Sequence, residues 1–363
     1  MIIERLTITD YRNYASAEVC PGRGVNLFIG DNAQGKTNLL ESVRLASVGR
    51  SSRTTRWQDL IRWGAEAAAV NVRVRSAAGA DEVTVRLGKA KSVLVNGYPI
   101  ARMGELMGVV KTVLFTPDEL RIVKEGPGER RRFADIALCQ LSRGYFYALT
   151  RYNRILAQRN RLLKGDPTDA ELTVWDMQLA KEGARVTRTR RRFAERIAVL
   201  AADIHAEISG GEKLEIGYEG AAGSECDEIE RGLAEALMKS RARDRQFAVT
   251  HVGPQRDDLS IKADGVDLRS FGSQGQQRSA ALSLKLAEME LIGRESGEYP
   301  VLLLDDVLSE LDESRQSKLI EKIKSYQTVI TCTHLTDDVR ERIGDVTEFV
   351  VNGGTVTPKG GSI

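Results

Sequence analysis

The run Gly30-Asp31-Asn32-Ala33-Gln34-Gly35-Lys36-Thr37 has the spacing G-x-x-x-x-G-K-[ST], and it lies between an apolar segment, Val25 to Ile29, and a helical pattern opening at Thr37. Glycines let backbone N–H groups wrap a phosphate, and a helix N-terminus adds a positive dipole. Lys36 is expected to reach the β- and γ-phosphates, and the Thr37 hydroxyl to ligate Mg²⁺. Far downstream, Val301-Leu302-Leu303-Leu304 runs into Asp305-Asp306, an apolar strand that ends in two carboxylates. Asp305 is predicted to hold Mg²⁺, commonly through water, and Asp306 to orient or polarise an attacking water. Lys36 and Asp306 are thus the candidate catalytic residues, Thr37 and Asp305 the candidate metal residues, and ATP with Mg²⁺ the expected cofactors.

A third element stands between these two. Ser273-Gln274-Gly275-Gln276-Gln277-Arg278 opens a helix, with Ser273 placed to cap it and Gly275 allowing close backbone approach. P-loop enzymes of ordinary kinase type need no such second phosphate-seeking terminus. The S-x-G-Q pattern resembles the signature of ABC ATPases, and Ser309-Glu310-Leu311-Asp312 looks like their D-loop. In that arrangement the signature of one subunit closes the ATP site of the other. Ser273, Gly275 and Gln276 therefore join Gly30 through Thr37 as candidate nucleotide-binding residues, and an ATP-dependent homodimer is implied.

The elements that must position these residues alternate in kind. Ile2 to Thr9, Val25 to Ile29, Ala68 to Arg75, Glu82 to Leu87 and Val93 to Val95 read as strands, with Asn96-Gly97 a hairpin dipeptide. From Pro117 to about Ile208 the pattern is helical, broken at Gly165-Asp166-Pro167, which predicts two antiparallel helices of about 35–40 residues and an arm about 50–60 Å long. Asp258 to Ala263, Gln276 to Gly293, Val301 to Asp305, Ser314 to Lys324 and Gln327 to Cys332 return to alternating strand and helix. The predicted fold is α/β, an ABC-type P-loop ATPase head with an antiparallel β lobe and an inserted helical arm domain. The expected boundaries are 1–116 plus 251–363 for the head, with the lobe around 65–100, and 117–250 for the arm. A Gly-rich tail follows at Gly353-Gly354 and Gly360-Gly361.

At 363 residues, 42% hydrophobic and 29% charged, the chain has the composition of a soluble globular protein, and its apolar runs are too short for a membrane span. Charges at Glu4 and Arg5 interrupt any secretory signal, and Cys20, Cys139, Cys226 and Cys332 form no CxxC pair, so a cytoplasmic, reducing setting is expected. The net charge is only +2, yet Glu129 to Arg196 holds 16 Lys+Arg against 8 Asp+Glu. Such a segment suits a polyanion, and equally a solvated helix face. Arg130 to Arg132, Lys89 and Lys91 are the candidate contacts to such a polyanion.

Taken together the motifs resemble the RecF family of bacterial DNA replication and repair proteins, related to the SMC-like ATPases. The resemblance spans nearly the whole chain. It is carried by Tyr11-Arg12-Asn13-Tyr14, Asp31 to Glu41, Gly49-Arg50-Ser51-Ser52-Arg53-Thr54, Phe115 to Leu120, Glu129 to Phe133, Gly253 to Leu259 and Asp305 to Asp312. It implies an ATP-induced dimer that binds double-stranded, gapped or junction DNA, hydrolyses ATP slowly under DNA stimulation, and works with RecR and RecO to load RecA. Gln255 stands where the family usually has His in G-P-H-R-D-D. Asp306 replaces the Glu of ABC transporters, no Q-loop glutamine follows Val110 to Phe115, and His334 is a candidate switch histidine. The competing reading is the ATP-driving subunit of a membrane transporter, which shares the three nucleotide motifs but not the basic helical insertion.

Overall fold

The computed structural model describes residues 1–359, so Gly360-Gly361 of the expected tail lies outside the described residues. The chain divides into two compact units: Met1–Glu119, Glu207–Gly210 and the chain from Leu282 onward form the first, Leu120–Ala206 and Gly211–Ala281 the second.

The first unit holds two six-stranded sheets. In one the order is Thr355–Pro358, Val346–Asn352, Val25–Ile29, Thr328–Cys332, Val301–Asp305, Thr112–Phe115, all parallel except the terminal hairpin. Strands buried on both faces need continuous apolar runs, and Val301–Asp305, Thr328–Cys332 and Thr112–Phe115 are buried at every position. Register aligns Ile29 with Cys332 and Asp305 with Thr331, so the chain emerges into the P-loop beside the two carboxylates. Ligands of such sheets bind outside the carboxyl ends of the strands.

The second sheet is antiparallel and larger than the lobe expected around 65–100. Ile2–Tyr11 and Tyr14–Val19 join Ala68–Ser76, Gly79–Leu87, Ser92–Val95 and Tyr98–Pro99, with Ile8 opposite Val70. The alternating run at the chain's start fits a half-buried sheet, and pairing with a strand some sixty positions away, which local pattern does not encode, decides its place. Asn96 and Gly97 both take positive φ, 53° and 80°, as the two-residue hairpin requires.

The second unit contains the helices Pro127–Leu141, Arg143–Leu162 and Cys226–Phe247, most of Asp169–Ser209, and a three-stranded sheet ordered Val266–Asp267, Asp258–Ala263, Leu214–Glu219. The break at Gly165 to Pro167 stands, and the 41-residue helix after it spans about 60 Å. The expected single helix before it is two helices, because Ser142 is extended (φ −143°) and caps the second by accepting from the Tyr145 N–H at 3.1 Å. The predicted boundary at 251 is also corrected: Asp258–Ala263 hydrogen-bonds along Leu214–Glu219, so residues 251–281 belong to the second unit, not to the head. This unit has its own core, including Tyr152, Leu179, Ala184, Leu233 and Leu237, and is a packed domain where an extended arm was expected. No helix among the described residues is long and apolar enough to cross a membrane.

Candidate nucleotide site and nucleic-acid interface

The loop Gly30 to Gly35 connects Val25–Ile29 to the helix Lys36–Val48. Two of its glycines are required by geometry. A Cβ on Gly30 would stand 2.1 Å from the Val351 carbonyl oxygen, and Gly35 takes φ 118° with Asn13 and Tyr14 closing over it. Lys36, 7% exposed, donates from Nζ to the Gly30 and Asp31 carbonyls at 2.6 and 3.0 Å, which holds the ammonium across the loop. Asp31 and Asn32 are exposed, as is Ala33 at φ 65°.

The Thr37 hydroxyl donates to Asp305 Oδ1 at 3.1 Å, and Thr331 donates to the same oxygen at 2.6 Å. A hydroxyl and a carboxylate are hard oxygen donors, the set that suits Mg²⁺. Thr331 was not among the candidates from sequence; its signal was its place in the strand next to Val301–Asp305. Asp306 takes φ 53°, uncommon for a residue with a Cβ, and its N–H donates to the Thr331 carbonyl at 3.1 Å. The turn directs the chain away from the sheet at the second carboxylate, and Ser309 donates to Asp306 Oδ1 at 3.2 Å. Burial, then the nearby Asp306 charge, pushes the Cys332 thiol up to about 11, so it stays protonated beside the loop at neutral pH. His334 is exposed just past that strand.

Residues from the Tyr11 to Tyr14 turn buttress the loop from behind. Tyr14 donates to the Gly35 carbonyl at 3.0 Å, and Asn13 donates to the Gln34 carbonyl at 2.8 Å, which also accepts from the Gly354 N–H. Asn38 donates to Asn13 at 2.9 Å. Glu41 accepts two bonds from the Arg12 guanidinium, both 2.9 Å, and one from Ser51 at 2.5 Å, while Arg53 donates to Asn38. Tyr11 and Tyr14 are fully buried: Tyr14 acts on the loop through the Gly35 carbonyl, and Tyr11 packs in the core. Desolvation raises both phenols well above the usual tyrosine range.

Ser273 lies in the second unit. Its hydroxyl accepts from the Gln276 N–H at 3.2 Å while Gln276 Oε1 accepts from the Ser273 N–H at 2.9 Å, a reciprocal capping box. Gln276 also donates to Glu212 at 2.5 Å. Ser273 and Gln274 are exposed, and Phe271 just before them is 78% exposed.

The arginine-rich segment separates into two sets. Arg130, Arg159 and Arg190 are buried: Arg130 chelates Asp258 with two bonds of 2.7 Å, Arg190 holds Asp135 at 2.8 and 2.9 Å, and Arg159 bridges Asp176 and Asp244 at 2.7 and 2.8 Å. Arg130 is therefore no DNA contact; full burial of a guanidinium demands paired carboxylates. The segment from Gly253 to Asp258 is the hub of this network. Pro254 accepts from Arg190 and Asp257 from Arg131 through their carbonyls, both at 2.7 Å. Gln255 accepts from the Tyr152 hydroxyl and donates to the Val252 carbonyl at 2.9 Å, an anchoring role in place of proton transfer. The exposed set includes Arg132, Arg143, Arg154, Arg161, Lys181, Arg185 and Arg192. In the first unit Lys89 is exposed, whereas Lys91 is half-buried and donates to the Gly49 carbonyl.

The description "RecF/RecN/SMC N terminal domain" matches residues 2–349. The DNA replication and repair protein RecF of Alkaliphilus oremlandii is 44% identical over 98% of this chain and 100% of its own length, and that of Clostridium novyi 40% identical over 98% and 99%. Among solved structures, the recombination mediator protein RecF-ATP in the RecFOR pathway superposes with TM-score 0.91 at 37% identity, covering 98% of this chain and 97% of that one. An SmcHead bound to the C-winged helix domain of ScpA shares the fold, with TM-score 0.60 at 16% identity over 99% and 97% of the two chains. With motif order, strand topology and near full-length identity in agreement, this chain belongs to the RecF family of DNA replication and repair proteins.

Proposed function

We propose that this chain is an ATP-gated DNA-binding ATPase of recombinational repair and replication-fork maintenance, acting in the cytoplasm. The observation that carries this is the meeting of Thr37 and Asp305 at 3.1 Å beside a loop whose lysine is already aimed across it. Bound Mg²⁺, held by Thr37 and Asp305, supplies charge neutralisation at the phosphates. Gly30 through Gly35 offer backbone N–H groups to those phosphates, Lys36 counters their charge, and Asp306 accepts the proton of the attacking water. Ser273, Gly275 and Gln276 of a second copy complete the site, so ATP joins two chains into a dimer. Asp306, one methylene shorter than Glu, suits slow turnover that resets a switch.

The exposed cations of the second unit supply phosphate contacts to double-stranded and gapped or junction DNA, with no base-specific readout. Hydrolysis is slow and DNA-stimulated, and the DNA-bound dimer works with RecR and RecO in loading RecA; relatives named for the RecFOR pathway support this. Those same names count against a transporter subunit.

The test is anisotropy of a labelled gapped duplex titrated with protein in ATP, in ADP and without nucleotide, at one salt concentration. Tight binding in ATP alone is expected. Binding indifferent to nucleotide overturns the gating, and no binding overturns the DNA reading.

A further inference from the structure

Trp63 is 95% exposed, the most exposed large apolar side chain among the described residues. The indole offers solvent a flat apolar face of the kind on which a nucleic-acid base stacks. The turn bearing it is rigidly held. Arg62 donates from its backbone N–H to the Asp10 carbonyl at 2.7 Å and from its guanidinium to the Asp10 carboxylate at 2.7 Å, and Leu60 accepts from the Arg12 N–H at 2.8 Å. Gly64 follows with φ 85° and open space around it.

The surroundings are cationic. Ala68 pairs with Leu87, so the chain before 68 and the Gly88 to Lys91 loop leave the same end of the antiparallel sheet. Trp57 donates to the Gly88 carbonyl at 3.3 Å, drawing the 50–57 stretch to that end. Lys91 donates to the Gly49 carbonyl, which brings Arg50 to the same end. Arg50, Arg56 and Lys89 are exposed there, against Glu66 and an Asp59 that accepts from Thr54 at 2.6 Å, while Arg53 turns to Asn38 and Glu41. An aromatic face amid surplus positive charge fits a nucleic-acid strand whose phosphates the cations meet and whose base the ring covers.

We propose that Trp63 is a stacking platform for an unpaired base, so that it selects gapped or junction DNA over intact duplex. A base inside a duplex is covered on both faces by its neighbours, whereas a base at a gap or junction offers a free one. This rests on the DNA-binding reading above.

Unaltered chain, Trp63→Ala and Trp63→Phe are titrated with ATP into a labelled gapped duplex and into an intact duplex of equal length. Trp63→Ala is expected to weaken gapped-duplex binding about tenfold and intact-duplex binding less than about twofold, with Trp63→Phe retaining most of the affinity. Single-stranded oligothymidine should quench the tryptophan fluorescence of the unaltered chain and not that of Trp63→Phe. Equal losses on both duplexes overturn the selection. Unchanged affinity on both overturns the stacking and turns the surface over to a protein partner, and weaker ATP binding without DNA assigns the ring to the nucleotide pocket. Failure of the unaltered chain to bind either duplex overturns the DNA reading itself and is distinct from all of these.

Discussion

Thr37 and Asp305, 268 positions apart, meet through a 3.1 Å hydrogen bond from hydroxyl to carboxylate. Parallel pairing of Val25–Ile29 with Thr328–Cys332, and of that strand with Val301–Asp305, makes the meeting possible, and it brings Thr331 onto the same carboxylate oxygen at 2.6 Å. Thr331 fixes the orientation of Asp305 without ligating anything itself. Thr331→Val keeps the shape and removes the donor. It is expected to raise the Mg²⁺ concentration that half-saturates ATP binding by ~10–100-fold, the usual cost of losing a partner behind a ligand. ATP binding in excess chelator should not change; a Mg²⁺ requirement equal to that of the unaltered chain would sink the idea.

Tyr14 and Gly35 make a similar pair behind the phosphate loop. Tyr14→Phe removes one of the two donors to the Gly35 carbonyl, which keeps the Leu39 N–H, at a cost of about 1 kcal/mol in urea unfolding. Because that carbonyl sits at the turn into the Lys36 helix, ATP affinity measured by calorimetric titration is expected to fall several-fold as well. Lost stability with intact ATP affinity would reduce the hydroxyl to packing alone.

Dimer formation separates the roles of three residues. Light scattering in ATP should show dimers for the unaltered chain and for Asp306→Asn, which binds ATP but turns over at least ~100-fold more slowly. Lys36→Met should lose ATP binding and dimers together. Ser273→Arg, altering an exposed cap, should lose dimers while monomers still bind ATP. ATP-induced dimers that persist in both Lys36→Met and Ser273→Arg contradict the composite site.

The two sets of arginines predict opposite phenotypes. Arg154 and Arg161 are exposed and seven positions apart on Arg143–Leu162, hence on one helix face. If both meet phosphates, replacing both with Ala lowers the slope of log affinity against log salt by about 1.8, at about 0.9 per contact, with the urea midpoint unmoved. Arg159→Ala removes the buried cation shared by Asp176 and Asp244, leaving Asp176 to Arg241 and Asp244 to Ser240 and His251, and is expected to destabilise the chain by about 3 kcal/mol. An Arg159→Ala chain of normal stability would refute its structural assignment.

The strand, loop and helix around Gly30 to Thr37, the central strands and the hairpin at Asn96-Gly97 were legible in the sequence because each is set by local chemistry: glycine spacing, an apolar run, a turn dipeptide. What escaped was non-local. Nothing near Ile2 announces that it lies beside Arg75, and nothing near Asp258 announces its pairing with Glu219, so the lobe and the domain boundary were both misdrawn. Charge density also concealed burial: in Arg130-Arg131-Arg132 the first guanidinium is enclosed by Asp258, while the third is 43% exposed beside Glu129 of its own helix. Only the carboxylates brought in from elsewhere in the chain distinguish the two.

Asp257 supplies a pH signature for the hub. Burial raises its carboxyl above the usual aspartate range, opposed by hydrogen bonds from Tyr218 and Thr187 and by the charges of Arg190 and Arg131. The folded chain therefore binds a proton at Asp257 more readily than the unfolded chain does. In the window from the ordinary aspartate value, about 4, up to the raised one, stability contributed by this group falls as pH rises, and the cost is fully in force above the raised value. Asp257→Asn keeps an oxygen acceptor for Tyr218 and Thr187 and abolishes the titration. Urea unfolding of both chains across pH 4 to 7 should show stability rising more steeply with pH in Asp257→Asn than in the unaltered chain. Parallel curves would mean that the arginines fully offset the burial and that Asp257 is charged at little cost in the fold.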